Sequence, residues 1–91
     1  MYKYLINENL SNLPMKDYKN ALKVIPLVLG VSPNTFLNYR NIKAGEKKDI
    51  PYQKVVQLEK MFGLSAGELQ NTRISCKHIT QLLEDYKNVL R

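Results

Sequence analysis

The stretch Gly30-Val31-Ser32-Pro33-Asn34-Thr35-Phe36 constrains this chain more than any other. It reads as the end of one helix, a turn of about three residues and the start of another. Glycine has no Cβ to clash at positive φ, so Gly30 stops the segment before it. Ser32 offers an oxygen to the free N–H groups of the next helix. Pro33 suits the first helical position, where its missing N–H would have no partner anyway.

Apolar spacing extends the helical reading to the rest of the chain. Met15, Tyr18, Leu22, Ile25 and Leu29 recur at intervals of three and four, which makes one stripe. Pro14 stands where that segment starts. Pro26 interrupts it, and a proline inside a helix costs about 3 kcal/mol through a lost hydrogen bond and a ring clash. The expectation is two short helices, 14–22 and 23–29, or one helix kinked near Leu22–Lys23. A third helix is expected over 33–42. Phe36 and Tyr39 face its core side, and Pro33, Asn34, Leu37, Asn38 and Asn41 lie on its outer side.

A polar loop from Ile42 to Asp49 contains Gly45 and the run Glu46-Lys47-Lys48-Asp49. A fourth helix begins near Pro51, with Gln53 placed to reach back to its first N–H groups. Val55, Val56, Leu58, Met61 and Phe62 form its apolar face, and Gly63 stops it. Ser65-Ala66-Gly67-Glu68 has the capping-box spacing for a short fifth helix to about Asn71. The last helix starts after Ser75, with Ile79, Leu82, Leu83, Tyr86 and Leu90 on one side. Tyr2, Tyr4 and Ile6 alternate as in a strand, whereas Leu5 and Leu10 break the pattern. The chain therefore divides into an N-terminal arm (1–13), a helical domain (14–72) and a C-terminal amphipathic helix (73–91).

Composition narrows the function classes. The chain has 91 residues, of which 44% are hydrophobic and 24% charged, as expected of one small globular domain. No apolar run approaches the ~20 residues of a membrane span, and the first residues lack the apolar core of a signal peptide. The lack of a spanning run fits no membrane partner, and one cysteine forms no internal disulfide, which fits a reducing cytoplasm. Cys76 reads as a small buried apolar residue.

Catalysis and metal binding find no support in the residue pattern. The lone His78 has no nucleophile or carboxylate at a recognisable spacing. Cys76 and His78 fall short of four metal ligands. The four glycines are scattered rather than gathered in a phosphate loop. Glu84 and Asp85 are helix neighbours that diverge. The expectation is no enzyme, no catalytic residue, no metal and no cofactor.

The net charge is +6, and residues 14–63 carry nine Lys/Arg against four acids. Such a surplus attracts phosphates and releases counterions. A helix, a short turn and a second helix form the geometry that can present one helix to a DNA major groove.

Three pieces of the stretch Ile25–Leu69 carry a resemblance. They are Leu29-Gly30-Val31-Ser32 at the turn, Phe36 and Tyr39 on the core side of the third helix, and a closing set. That set runs from Ile50-Pro51 through Val55-Val56-Gln57-Leu58 and Phe62-Gly63-Leu64-Ser65 to Glu68-Leu69. Together they resemble the lambda-repressor-like helix-turn-helix family of phage repressors and bacterial xenobiotic-response-element regulators. The resemblance implies an all-α fold: a compact five-helix helix-turn-helix domain, here with an additional C-terminal helix. It also implies sequence-specific, repressor-like binding of double-stranded DNA, usually as a dimer on a palindromic site.

Carried over from the family, Ser32, Pro33, Asn34, Leu37, Asn38 and Asn41 occupy base-facing positions. Asparagine can pair with an adenine edge in bidentate fashion, and Leu37 can touch a thymine methyl. Lys23, Arg40, Lys43, Lys47, Lys48 and Lys54 are the candidate DNA-backbone contacts, with a guanine edge as the other option for Arg40 and Lys43. Pro33 and Leu37 on the outer face, and Leu22 where the family often carries a phosphate-contacting polar residue, motivate an alternative. This is a protein–protein interaction module on the same fold without specific DNA binding. The C-terminal helix either packs back on the domain or pairs with its copy to make a homodimer.

Overall fold

The computed structural model describes residues 1–89 and is all-helical among them. Five helices follow in order: α1 (Ile6–Ser11), α2 (Met15–Leu29), α3 (Pro33–Arg40), α4 (Tyr52–Met61) and α5 (Ile79–Val89). One core joins the first four, built from Tyr4, Ile6, Leu10, Ile25, Leu29, Phe36, Ile42, Ile50, Val55, Leu58 and Leu69.

The turn forms as its residues dictate. Gly30 sits in the left-handed region at φ 70°. The Val31 N–H donates to the Pro26 carbonyl (3.0 Å) and the Gly30 N–H to that of Leu27 (3.2 Å). These two bonds satisfy the last carbonyls of α2 in a Schellman arrangement. Ser32 then adopts an extended conformation, and its oxygen accepts from the Thr35 N–H.

Pro26 neither splits nor ends α2, which runs unbroken from Met15 to Leu29. The proline lies in the last part of the helix, where its φ is already helical and only one hydrogen bond is lost. Its ring is fully buried, and that burial offsets the loss. The stripe on α2 holds from Tyr18 to Leu29, but Met15 at its first residue is 80% exposed. The third helix ends at Arg40 rather than at residue 42, and Ile42 turns into the core.

Gln53 does not cap α4. The N-cap residue is Pro51, which has no N–H for a side chain to accept from. Ser65–Asn71 forms turns rather than a helix. Glu68 does reach back to the Ser65 N–H, as a capping box requires. Gly67, however, sits at φ 87°, outside the right-handed helix. The N–H groups of Gly67 and Leu69 donate instead to Oε2 of Glu59, a carboxylate buried on α4 (2.8 and 3.2 Å).

The N-terminal residues are part of the core and not an arm. Residues 1–5 run between two segments, with a bend at Lys3. The Lys3 N–H donates to the Ile42 carbonyl, and the Ala44 N–H to that of Met1. On the other edge the Leu5 N–H donates to the Leu69 carbonyl, and the Asn71 N–H to that of Lys3. Only isolated bridges result, Tyr2 with Lys43 and Tyr4 with Gln70. Ile6 and Leu10, one turn apart on α1, are completely buried.

The C-terminal helix does not pack back on the domain. None of its described residues is buried, and the molecule extends 62 Å along one axis against 23 Å along the other two. His78 caps α5 at its start, where Nδ1 accepts from the Thr80 N–H. Cys76, in the segment leading to α5, is exposed rather than buried. Leu90 lies outside the described residues.

Truncating Ile6 tests the role of the N-terminal segment. Ile6→Ala leaves a cavity in the core and lowers unfolding free energy by about 2–5 kcal/mol. Urea denaturation measures the change, and a dispensable arm would leave the midpoint where it was.

Candidate functional site

The outward side of α3 is the candidate site, and it begins with how the inward side is held. Phe36 is 2% exposed. Arg40 lies close to Phe36 around the helix and is half-buried. Its Nε donates to Oδ1 of Asn7 at 2.7 Å, and Nη2 donates to the Tyr18 hydroxyl at 3.4 Å. The Asn7 amide in turn donates to the Arg40 carbonyl. These bonds tie the last turn of α3 to α1 and α2, and the charged donor makes the Asn7 bond stronger than a neutral one.

The opposite side is open. Pro33, Asn34, Leu37, Asn38 and Asn41 are all exposed. Asn34, Leu37, Asn38 and Asn41 are three or four residues apart and share one face. Among the described residues, the side-chain hydrogen bonds of α3 and its cap involve Ser32, Thr35 and Arg40, so the three amides remain available. Ser32 is committed to the cap, accepting from the Thr35 N–H and donating to its hydroxyl.

A groove of about 420 Å³ runs beside this face, lined by Thr35, Asn38, Tyr39, Asn41, Glu46 and Asp49 among others. Its two carboxylates are occupied from within the fold. Glu46 accepts from the Lys43 N–H. Asp49 accepts from the Tyr4 hydroxyl and the Ile50 N–H, and it pairs with Nζ of Lys3 at 3.3 Å. Burial would push the Asp49 carboxyl up, but the hydrogen bonds from Tyr4, Ile50 and Lys3 outweigh it and hold the group below the usual carboxylate range. Tyr4 moves the other way. Burial raises its pKa most, with the Asp49 carboxylate adding to the effect, so the phenol stays a neutral donor.

The cations divide into two sets. Lys23, Lys43, Lys47 and Lys48 are exposed. Arg40 is bound as described, and Nζ of Lys54 donates to the Leu29 carbonyl at 3.1 Å, closing the end of α2 from α4. Leu22, in the position that motivated the alternative function, packs partly buried against the core. Besides Met15, three apolar residues on α2 face solvent: Val24 (51% exposed), Leu27 (79%) and Val28 (53%).

Sequence reasoning missed the partners that hold the site. Asn7 and Tyr18 are far from Arg40 in the chain, as Lys3 and Tyr4 are from Asp49. No local signal marks such pairs. A basic residue on the core side of a predicted helix is the one clue that Arg40 offers.

Among the described residues, no group of His, Cys, Asp and Glu is arranged to hold a metal ion, and no helix is long and apolar enough to cross a membrane. No family model matches the chain, and no curated protein or solved structure matches it.

The Asp49 contacts carry a pH signature. A carboxylate with a depressed folded pKa contributes stability above its unfolded pKa and loses it as pH falls through the folded value. Asp49→Asn therefore lowers the unfolding midpoint relative to the parent chain at pH 7. The gap shrinks below about pH 3.8, the ordinary aspartate value. Urea melts of both chains between pH 2 and 7 measure it, and a gap constant across that range refutes the assignment.

Proposed function

We propose that this chain is a sequence-specific DNA-binding regulator of transcription, repressor-like and of the lambda-repressor-like helix-turn-helix type. In this reading α3 enters the major groove of double-stranded DNA. One observation carries it: three uncommitted amides and Leu37 lie on the open side of a short helix whose other side is anchored by Phe36 and Arg40. Lys23, Lys43, Lys47 and Lys48 supply contacts to phosphates, which fix register without reading sequence. The protein acts in the cytoplasm, where the single thiol stays reduced.

The homodimer belongs to the same proposal. An isolated helix of 11 residues is marginal in water. Ile79, Leu82, Leu83 and Tyr86 are 41–61% exposed along α5, and pairing with a second copy covers them. Two α3 helices then meet half-sites about 34 Å apart, one turn of the duplex.

The exposed Val24, Leu27 and Val28 favour a second reading, a protein-interaction module on the same fold. The two are separated by a selection from random oligonucleotides. Enrichment of a motif supports the first reading, and a pool that stays random refutes it.

Salt titration distinguishes the two sets of cations. Affinity for DNA falls with salt at a log–log slope of about −0.9 per phosphate contact. Lys47→Ala and Lys48→Ala each reduce that slope by about one contact and weaken all sequences alike. Lys54→Ala leaves the slope unchanged and lowers the thermal midpoint. For the dimer, Leu83→Asp shifts the mass in sedimentation equilibrium from two chains to one, while far-UV dichroism of the domain persists. A parent chain that sediments as a monomer at all concentrations refutes the pairing.

A further inference from the structure

The open side of α3 bears only Asn34, Leu37, Asn38, Asn41 and Pro33, and holds no arginine or lysine. Arg40 is the single cation on the helix, and its Nε–H and Nη2 are bound to Asn7 and Tyr18 on the body of the protein. The bidentate contact to O6 and N7 of guanine is the work of arginine or lysine. That contact is therefore missing from α3. Asparagine complements adenine instead, since its carbonyl accepts from N6 and its amide donates to N7, and an aliphatic side chain fits the thymine methyl.

Spacing adds a register. Asn34 and Asn38 are four residues apart, about 6 Å along the helix axis at 1.5 Å per residue. That spans about two base-pair steps of 3.4 Å. Leu37 lies between them on the same face.

We propose that α3 reads a half-site of A·T pairs, with two adenines recognised by Asn34 and Asn38 within three consecutive positions and no guanine read by this helix. The proposal rests on the DNA-binding reading and names the sequence class that reading leaves open.

The test uses the 91-residue chain and duplexes recovered from a random pool. The expected half-site has A·T pairs at two of three consecutive central positions. Replacing either adenine by 7-deazaadenine removes the N7 acceptor and weakens binding at least about fivefold, a lower bound taken from the smallest bidentate discrimination. Asn38→Ala weakens binding to the selected duplex about 5- to 150-fold, and sensitivity to 7-deazaadenine at one of the two positions disappears with it. A thermal melt of Asn38→Ala matching the parent separates this loss from misfolding. A recovered motif centred on G·C pairs, with 7-deazaguanine weakening binding and 7-deazaadenine without effect, overturns the proposal while leaving DNA binding standing. A pool that stays random overturns the DNA-binding reading, and the half-site with it.

Discussion

The open face of α3 depends on the clamp behind it. Phe36 enters the core, and burying a side chain of that size contributes about 2–3 kcal/mol. Tyr39 packs partly buried against the same core, but apolar contact is non-directional and fixes the roll of an eight-residue helix only loosely. Arg40 supplies the second point, one turn later, through its bonds to Asn7 and Tyr18. With both ends of the inward face fixed, the amides of Asn34, Asn38 and Asn41 keep a defined outward direction.

That clamp is itself set by the N-terminal residues. The segment 1–5 bonds to the chain on both sides, at residues 42–44 and 69–71, so it joins the end of α3 to the turns after α4. Ile6 and Leu10 fill the core beneath, which brings Asn7 to Arg40. Tyr4 and Lys3 meet Asp49 and restrain the loop that carries Lys47 and Lys48. A small chain has little surface to bury, and recruiting its first residues into the core is one way to enlarge it.

Charge and apolarity are distributed in a way that composition does not reveal. Of the six cations suggested for the DNA backbone, four face solvent and two serve the fold. Glu59 is buried but holds two loop N–H groups in place, so its carboxylate replaces the helix that Ser65–Glu68 would otherwise start. Among the exposed apolar residues, Val24, Leu27 and Val28 cluster late in α2, and Ile79, Leu82, Leu83 and Tyr86 run along α5.

The sequence by itself determined the local features. Gly30, Ser32 and Pro33 specify the turn because each acts on backbone groups within five residues of itself. The spacing of Phe36 and Asn38 assigns inner and outer sides of α3, since helical period is a local property. The helical class, the α2–α3 boundary and the start of α4 were legible for the same reason. Tertiary structure alone decided the rest. Whether Pro26 splits a helix depends on the burial of its ring. Whether Ser65–Asn71 coils depends on Glu59, and whether residues 1–5 are an arm depends on backbone hydrogen-bond partners roughly forty and seventy residues away. Arg40 stands on the core side of its helix, but only folding supplies Asn7 as its partner. These are choices between competing partners for the same polar or apolar group, and only the packed chain brings the winning partner within reach.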